Sequence, residues 1–254
     1  MRKKRIKIKK PFYKKRNFWI LVFLIPIFVF LVYFFLFSNF FLVKEIEISG
    51  CPQDKERRIE NLISSKLREN FLKIENIFLV DSKGIENEIL DNFPQFEKVK
   101  VSKEFPQKIS VKIKKRKGVF LFCKENCYLI DRKGIIFKEA EKENLLKIEK
   151  EKTSSFVLGE RIISEDLILK ILKIEEECEQ LKIKINKISI FEEKLEAETK
   201  EGWKIILNSE KDIDFQIKKL KVVWENLEPE KRRKLEYLDL RFGDFAFPKY
   251  KITQ

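Results

Sequence analysis

The feature that most constrains this chain is an uninterrupted apolar run near its N-terminus. Residues 18–37 read FWILVFLIPIFVFLVYFFLF, twenty residues without a charge. At about 1.5 Å per residue, a helix of this length spans roughly 30 Å, the thickness of a bilayer core. A helix in a soluble core is rarely apolar on every side over such a length. The sequence therefore predicts one transmembrane helix, which we place at residues 18–42.

The residues before the run set its direction. Residues 1–16 hold ten Lys or Arg and no acid, and such clusters stay on the cytoplasmic side of a first span. The alternative is a cleaved signal peptide, but no small-x-small cleavage site follows and the apolar run is too long for one. We expect a single-pass protein of the cell membrane, with a basic cytoplasmic tail at residues 1–17 and an extracytoplasmic body.

The charge of the chain does not indicate nucleic-acid binding. The formal net charge is +14, but outside the tail 45 basic residues stand against 41 acidic ones, so the body has a mixed-charge surface rather than a basic patch. The chain has no His, which removes the commonest general base and metal ligand. We predict no cofactor, no metal and no small-molecule substrate, although paired carboxylates remain open for acid-base chemistry.

Residues 43–117 predict a small βααββ domain. KEIEIS alternates like a strand, and two amphipathic helices follow, the first with Ile59, Leu62, Ile63 and Leu67 as its buried stripe. EKVKVS and KISVKIK are then predicted to form a hairpin through KEFPQ. Both helices can cover one face of the three-stranded sheet.

Residues 118–254 are richer in strands. GVFLFC and CYLIDRKGIIFKE indicate consecutive hairpin strands, and NKISIF, KLEAET and WKIILN indicate a meander. A helix is predicted after Ser164 as its N-cap, with Ile168, Ile171 and Cys178 on or near its buried side. A last helix carries apolar residues at helical spacing, namely Ile213, Ile217, Leu220, Trp224 and Leu227. The predicted fold class is therefore α+β, with a mostly antiparallel C-terminal domain and flanking helices.

The four cysteines leave two interpretations open. Cys123 and Cys127 flank KEN, which reads as a hairpin loop, so their positions allow a cross-strand disulfide outside the cell. Ordinary half-buried thiols explain them equally well. The spacing of Cys51 and Cys178 does not suit a compact zinc site.

The order of these segments resembles the FtsQ/DivIB family of bitopic bacterial cell-division proteins. The βααββ segment is similar to the POTRA domain of the family, and its stretch FPQFEKVKVSKEFPQKISVKIKKRK is similar to the end of that domain. YLIDRKGIIF resembles the hairpin that opens the β domain of the family, and WKIILN resembles a meander strand of that domain. YLDLRFGD resembles the strand near the C-terminus of the family. The resemblance covers essentially the whole chain.

The resemblance implies a scaffold and not an enzyme. Members recruit the small coiled-coil membrane proteins FtsB (DivIC) and FtsL, with other divisome proteins, and so help coordinate septal peptidoglycan synthesis at the division septum. In the family the partner adds a strand near the C-terminal strand, which by matching positions predicts an edge strand for partner binding. Its residues here are Arg241, Phe242, Gly243, Asp244, Phe245, Ala246, Phe247 and Tyr250.

Two other functions remain as alternatives. A membrane-anchored cell-wall hydrolase would need two carboxylates roughly 5–9.5 Å apart in a cleft. Another POTRA-bearing export or chaperone factor would bring further POTRA repeats or a membrane β-barrel.

Overall fold

The chain forms two compact units. The structure, a computed structural model, describes residues 16–70, 72–141, 143–151 and 155–251. The first unit holds the described residues up to Ile89 and Val99–Lys114, and the second holds Leu90–Lys98 and those from Lys115 onward. Helices and strands are mixed, which confirms the α+β fold class.

The apolar run forms the first helix, α1, Arg16–Phe37. From Trp19 onward it is long and apolar enough to cross a membrane, and its side chains are not packed into a core. The helix ends before residue 42, the predicted boundary, because Ser38 caps a separate 3-10 turn, Asn39–Phe41. The chain therefore enters the rest of the first unit through a short ordered segment.

The remainder of the first unit confirms the βααββ order. Its elements are β1 Glu45–Ser49, α2 Gln53–Leu67, the 3-10 turn Ile77–Leu79, α3 Ser82–Asn92, β2 Phe96–Glu104 and β3 Lys108–Lys115. The strands form a sheet in the order β1-β3-β2, with β1 parallel to β3. The predicted stripe of α2 is buried at Ile59, Ile63 and Leu67.

Among its described residues, the second unit is built on one nine-stranded sheet. Its elements are β4 Phe120–Cys123, β5 Cys127–Ile130, β6 Ile136–Glu139, β7 Lys147–Lys150, α4 Glu165–Gln180, β8 Ile185–Ile190, β9 Lys194–Thr199, β10 Lys204–Asn208, α5 Ile213–Asn226, α6 Pro229–Arg233, β11 Leu235–Asp239 and β12 Phe247–Tyr250. The strand order is β12-β11-β10-β9-β8-β7-β4-β5-β6. Three neighbouring pairs are parallel and the other five are antiparallel, which confirms a mostly antiparallel domain.

Helices α4 and α5 contribute to the core of this unit. Ser164 caps α4 by accepting a hydrogen bond from the backbone N–H of Leu167, as predicted. The predicted Ile168, Ile171 and Cys178 are fully buried. The crossover between the parallel neighbours β10 and β11 runs through α5 and then α6, which ends just before β11.

Candidate partner-binding edge

The last two strands lie at one end of the nine-stranded sheet. β11 runs parallel to β10 on one side and antiparallel to β12 on the other. The edge of β11 is therefore covered by the chain's own β12, and β12 becomes the terminal strand. A terminal strand presents unpaired backbone groups that a partner strand can use.

The backbone groups of β12 alternate between β11 and the outside. The backbone N–H of Lys251 donates to the carbonyl of Lys234 at 2.7 Å, which fixes the register. Alternate residues of an antiparallel strand face the same neighbour, so Phe247 and Lys249 face β11 while Pro248 and Tyr250 face outward. Pro248 suits this position because its missing N–H would have pointed outward. The outer side of β12 thus offers the carbonyl of Pro248 and both backbone groups of Tyr250.

The residues predicted for the partner-binding edge do not all lie in one strand. Only Phe247 and Tyr250 of the predicted residues lie in a strand, whereas Arg241–Ala246 form the turn between β11 and β12. Gly243 has a φ of 40°, in the left-handed region that glycine adopts readily, and the N–H of Phe245 donates to the carbonyl of Phe242. The chain reverses here, which is why β12 can return along β11.

A buried lysine holds this turn in place. Lys219 of α5 directs its ammonium Nζ at the carbonyl oxygens of Leu240, Gly243 and Phe245, at 2.6, 2.8 and 3.4 Å. Burial lowers the pKa of Lys219, an effect only partly offset by the nearby charge of Asp244. Because three carbonyls converge on one cation, the turn has a defined shape.

An ion pair marks the point where β11 enters the turn. Arg241 donates from Nε and Nη2 to the carboxylate of Asp239, at 3.0 and 2.7 Å, and its backbone N–H donates to Oδ1 at 3.1 Å. Burial alone would raise the pKa of Asp239, but the side-chain and backbone hydrogen bonds from Arg241 and its charge outweigh burial, so the pKa is lowered. The pair is thus a structural clamp on the turn.

Three phenylalanines are exposed around the turn and β12. They are Phe242, Phe245 and Phe247, with Phe245 exposed to 71%. The rings of Phe242 and Phe247 meet edge to face at 6.1 Å. By contrast, Ala246 and Tyr250 are half-buried and pack on the core of the second unit. The exposed rings form an apolar surface next to the outer side of β12, and apolar side chains that are exposed together mark interaction sites more often than single ones do.

A groove adjoins this surface. It has a volume of about 330 Å³ and is lined by Phe215, Lys218, Lys219, Val222, Val223, Asp244 and Ala246. Its lining is mostly apolar and lies between α5 and the turn. An apolar side chain from a bound strand could be accommodated there, beside the backbone groups of β12.

Sequence reasoning missed Lys219, since lysines are almost never buried unless they are paired. The only sequence signal is its place directly before Leu220, on the predicted buried stripe of α5. The carbonyls that it binds come from residues 21 to 26 positions further along the chain. No local pattern reveals such contacts.

The cysteines take three different roles. Cys123 and Cys127 are joined by a disulfide across the β4–β5 hairpin, so neither is a thiolate available to a metal. Cys178 is buried in α4, and burial raises the pKa of its thiol to about 12. The thiol of Cys51 donates to the carbonyl of Pro52 at 3.3 Å.

The buried carboxylates of the described residues are each neutralised by an arginine. Asp131 pairs with Arg116 and accepts hydrogen bonds from two backbone N–H groups of its own turn. Asp239 pairs with Arg241. Both carboxylates are engaged in structural ion pairs, an arrangement that gives no support to the hydrolase alternative.

Two family models match the chain. The model for the C-terminal domain of the cell division proteins FtsQ/DivIB matches residues 122–241, and the model for the FtsQ-type POTRA domain matches residues 41–116. No curated protein sequence matches the chain significantly. The POTRA match begins after α1, and the match to the C-terminal domain ends at Arg241, where the turn begins.

Proposed function

Since the chain belongs to the FtsQ/DivIB family of cell division proteins, we propose that it is a single-pass membrane scaffold that binds its division partners by strand addition to β12. The partners are FtsB/DivIC-like and FtsL-like small membrane proteins, and binding them links this protein to septal peptidoglycan synthesis. The observation that carries the proposal is the open outer side of β12 beside three exposed phenylalanines.

Strand addition suits the chemistry of this edge. The carbonyl of Pro248 and the N–H and carbonyl of Tyr250 can hydrogen-bond to an added strand, which supplies affinity independent of sequence. Side chains of the partner can then cover Phe245 and Phe247 and enter the groove beside α5. Fully burying one phenylalanine contributes about 1.5–3 kcal/mol, so two or three rings would dominate the binding energy.

The proposed topology places this edge outside the cytoplasm. The basic residues 2–16 are retained inside by the positive-inside rule. Residues after α1 then face the extracytoplasmic space, where the Cys123–Cys127 disulfide is chemically permitted. We expect the protein to gather at the division septum with its partners.

The edge is tested by capturing an FtsB/DivIC-like partner with the full-length protein in detergent. Phe245→Asp places a charge on the exposed surface, and Tyr250→Pro removes the outward N–H while the inward hydrogen bonds of β12 remain. We expect Phe245→Asp to reduce capture by tenfold or more, equivalent to about 1.4 kcal/mol, and Tyr250→Pro to reduce it several-fold, since it removes one hydrogen bond to the added strand.

The matched control for the charge is Val157→Asp. Val157 is exposed to 74%, close to the 71% of Phe245. Its loop is hydrogen-bonded to β6, at the opposite end of the sheet from β12. It should leave capture unchanged. Unfolding curves identify any variant that has simply lost its fold. If folded Phe245→Asp and Tyr250→Pro both capture the partner normally, the strand-addition mechanism is wrong.

A further inference from the structure

The end of the membrane helix is capped by a side chain from the soluble part of the first unit. The Asn76 side-chain amide donates to the carbonyls of Phe35 and Leu36, at 2.8 and 2.9 Å. Its own oxygen accepts from the backbone N–H of Phe78 at 2.9 Å. The last carbonyls of a helix lack intrahelical partners, and here a fully buried asparagine supplies them.

Further hydrogen bonds tie down the segment that follows α1. The Gln107 side chain donates to the carbonyls of Asn39 and Phe40, at 3.3 and 3.2 Å. The backbone N–H of Val43 donates to Glu75, and that of Lys44 to Gln107. This segment is therefore not a flexible tether of the kind that Gly- or Ser-rich linkers form. The rest of the first unit is held at a fixed place relative to the end of α1.

The same contacts bring phenylalanines of the soluble part to the level of the membrane helix. The ring of Phe78 lies 5.8 Å from that of Phe35 and 5.1 Å from that of Phe41. Phe105 continues the row, 5.2 Å from Phe78. Phe35 is only two residues, about 3 Å, from the end of α1. The Phe78 ring therefore lies at the depth where the apolar span meets the interface.

Beyond the end of α1, three rings of this cluster are exposed, namely Phe40, Phe78 and Phe105, and we call them the membrane-proximal aromatic patch. Phe40 joins the row through Phe41, whose ring lies 5.1 Å away, and Phe105 is exposed to 58%. Leaving these rings in water is unfavourable, because moving each one out of water would contribute favourable hydrophobic free energy. The Lys103 ammonium lies beside the patch, donating to the carbonyl of Phe78 at 3.3 Å, and a cation at this height meets the headgroup phosphates.

We propose that the membrane-proximal aromatic patch inserts into the outer interface of the bilayer that α1 crosses. The occupant is lipid because the patch is continuous with α1, which already lies in the membrane, so contact needs no separate association step. Lys103 then faces the headgroups above the rings. The consequence is a POTRA-type unit seated on the membrane in one orientation.

The proposal is tested by spin-label accessibility in nanodiscs. The full-length protein, one copy per disc, carries a nitroxide at Phe105→Cys in a Cys51→Ser background, with phosphatidylcholine and phosphatidylglycerol as lipids. Collisions with oxygen, which dissolves in lipid, are compared with collisions with a water-soluble nickel chelate. We expect the oxygen-to-nickel ratio at residue 105 to be several-fold higher than at a control label on Phe245→Cys.

A second label keeps the three rings intact. Glu104→Cys is next to Phe105 and half-exposed at its side chain, so its ratio should fall between the other two. Equal oxygen-to-nickel ratios at residues 104, 105 and 245 would overturn the proposal. The patch would then be assigned to binding a protein partner, since the discs contain no partner protein. Thermal unfolding of each labelled protein shows whether the label has disturbed the fold.

Discussion

The Nζ atom of Lys219 lies 2.6 Å from the carbonyl oxygen of Leu240, and this contact joins α5 to the end of β11. The same ammonium reaches two carbonyls of the following turn. The ammonium of Lys219 thus holds together the turn that precedes β12, although Lys219 itself belongs to helix α5. Its removal should loosen the turn before it disturbs the sheet.

We expect Lys219→Met to lower the free energy of unfolding by about 1–3 kcal/mol, since it leaves three carbonyls without their donor. Amide hydrogen exchange over residues 241–246 should accelerate. The control is Lys218→Met, which changes the neighbouring exposed lysine and should leave both quantities unchanged. Equal exchange rates in the Lys219 variant and the wild type would contradict the role given to Lys219.

The Asp239–Arg241 pair predicts a pH dependence. The pKa of Asp239 is lowered in the folded state, so its contribution to stability is present above the unfolded pKa of about 3.9 and is lost as pH falls through the folded value. Asp239→Asn should therefore be less stable than the wild type near pH 7, by about 1–3 kcal/mol. The difference should shrink below about pH 4, as measured by denaturant unfolding across pH. A difference that is constant from pH 7 to pH 2 would count against the ion pair.

Alanine substitutions at two glycines distinguish the cost of a steric clash from the cost of a left-handed backbone conformation. Gly134 and Gly202 both have positive φ, at 75° and 85°. A Cβ at Gly134 would collide with the carbonyl of Ile163, whereas a Cβ at Gly202 meets nothing within 4 Å. Gly202→Ala should cost about 1–2 kcal/mol for its conformation alone. Gly134→Ala should cost clearly more in the same unfolding assay, and equal losses would mean that the Ile163 backbone moves aside freely.

The Cys123–Cys127 disulfide predicts a modest gain in stability. It closes a loop of about five residues, for which chain entropy gives roughly 2 kcal/mol. The double variant Cys123→Ser/Cys127→Ser should lose about that amount in denaturant unfolding while it still captures the partner. Reduction of the wild type should reproduce the loss, whereas reduction of the double variant, which lacks the disulfide, should have no effect.

Local patterns predicted the elements that carry their own signals. Helix α4 combines a Ser164 cap with apolar residues at helical spacing, and the β4–β5–β6 hairpins combine alternation with turn residues. These signals are short-range, so they can be read without knowing the fold. The family resemblance also rests on such local segments.

The elements that were missed depend on distant partners. β7 has a single buried residue, Ile148, and is held by parallel pairing with β4 and β8. β12 contains Pro248, and a proline in a sequence argues against a central strand, although it fits the outer side of a terminal strand. Lys219 and Asn76 are buried polar residues whose partners come from other elements. No pattern of nearby residues reports such pairings.

The asparagine cap on α1 also has a mechanical consequence. Because Asn76 donates hydrogen bonds to carbonyls in the last turn of the helix, α1 and the sheet that follows it move as one rigid body. A membrane helix changes its tilt when the bilayer becomes thicker or thinner. In this protein such a change in tilt would rotate the whole first unit. The orientation of the part outside the membrane therefore depends on the thickness of the bilayer.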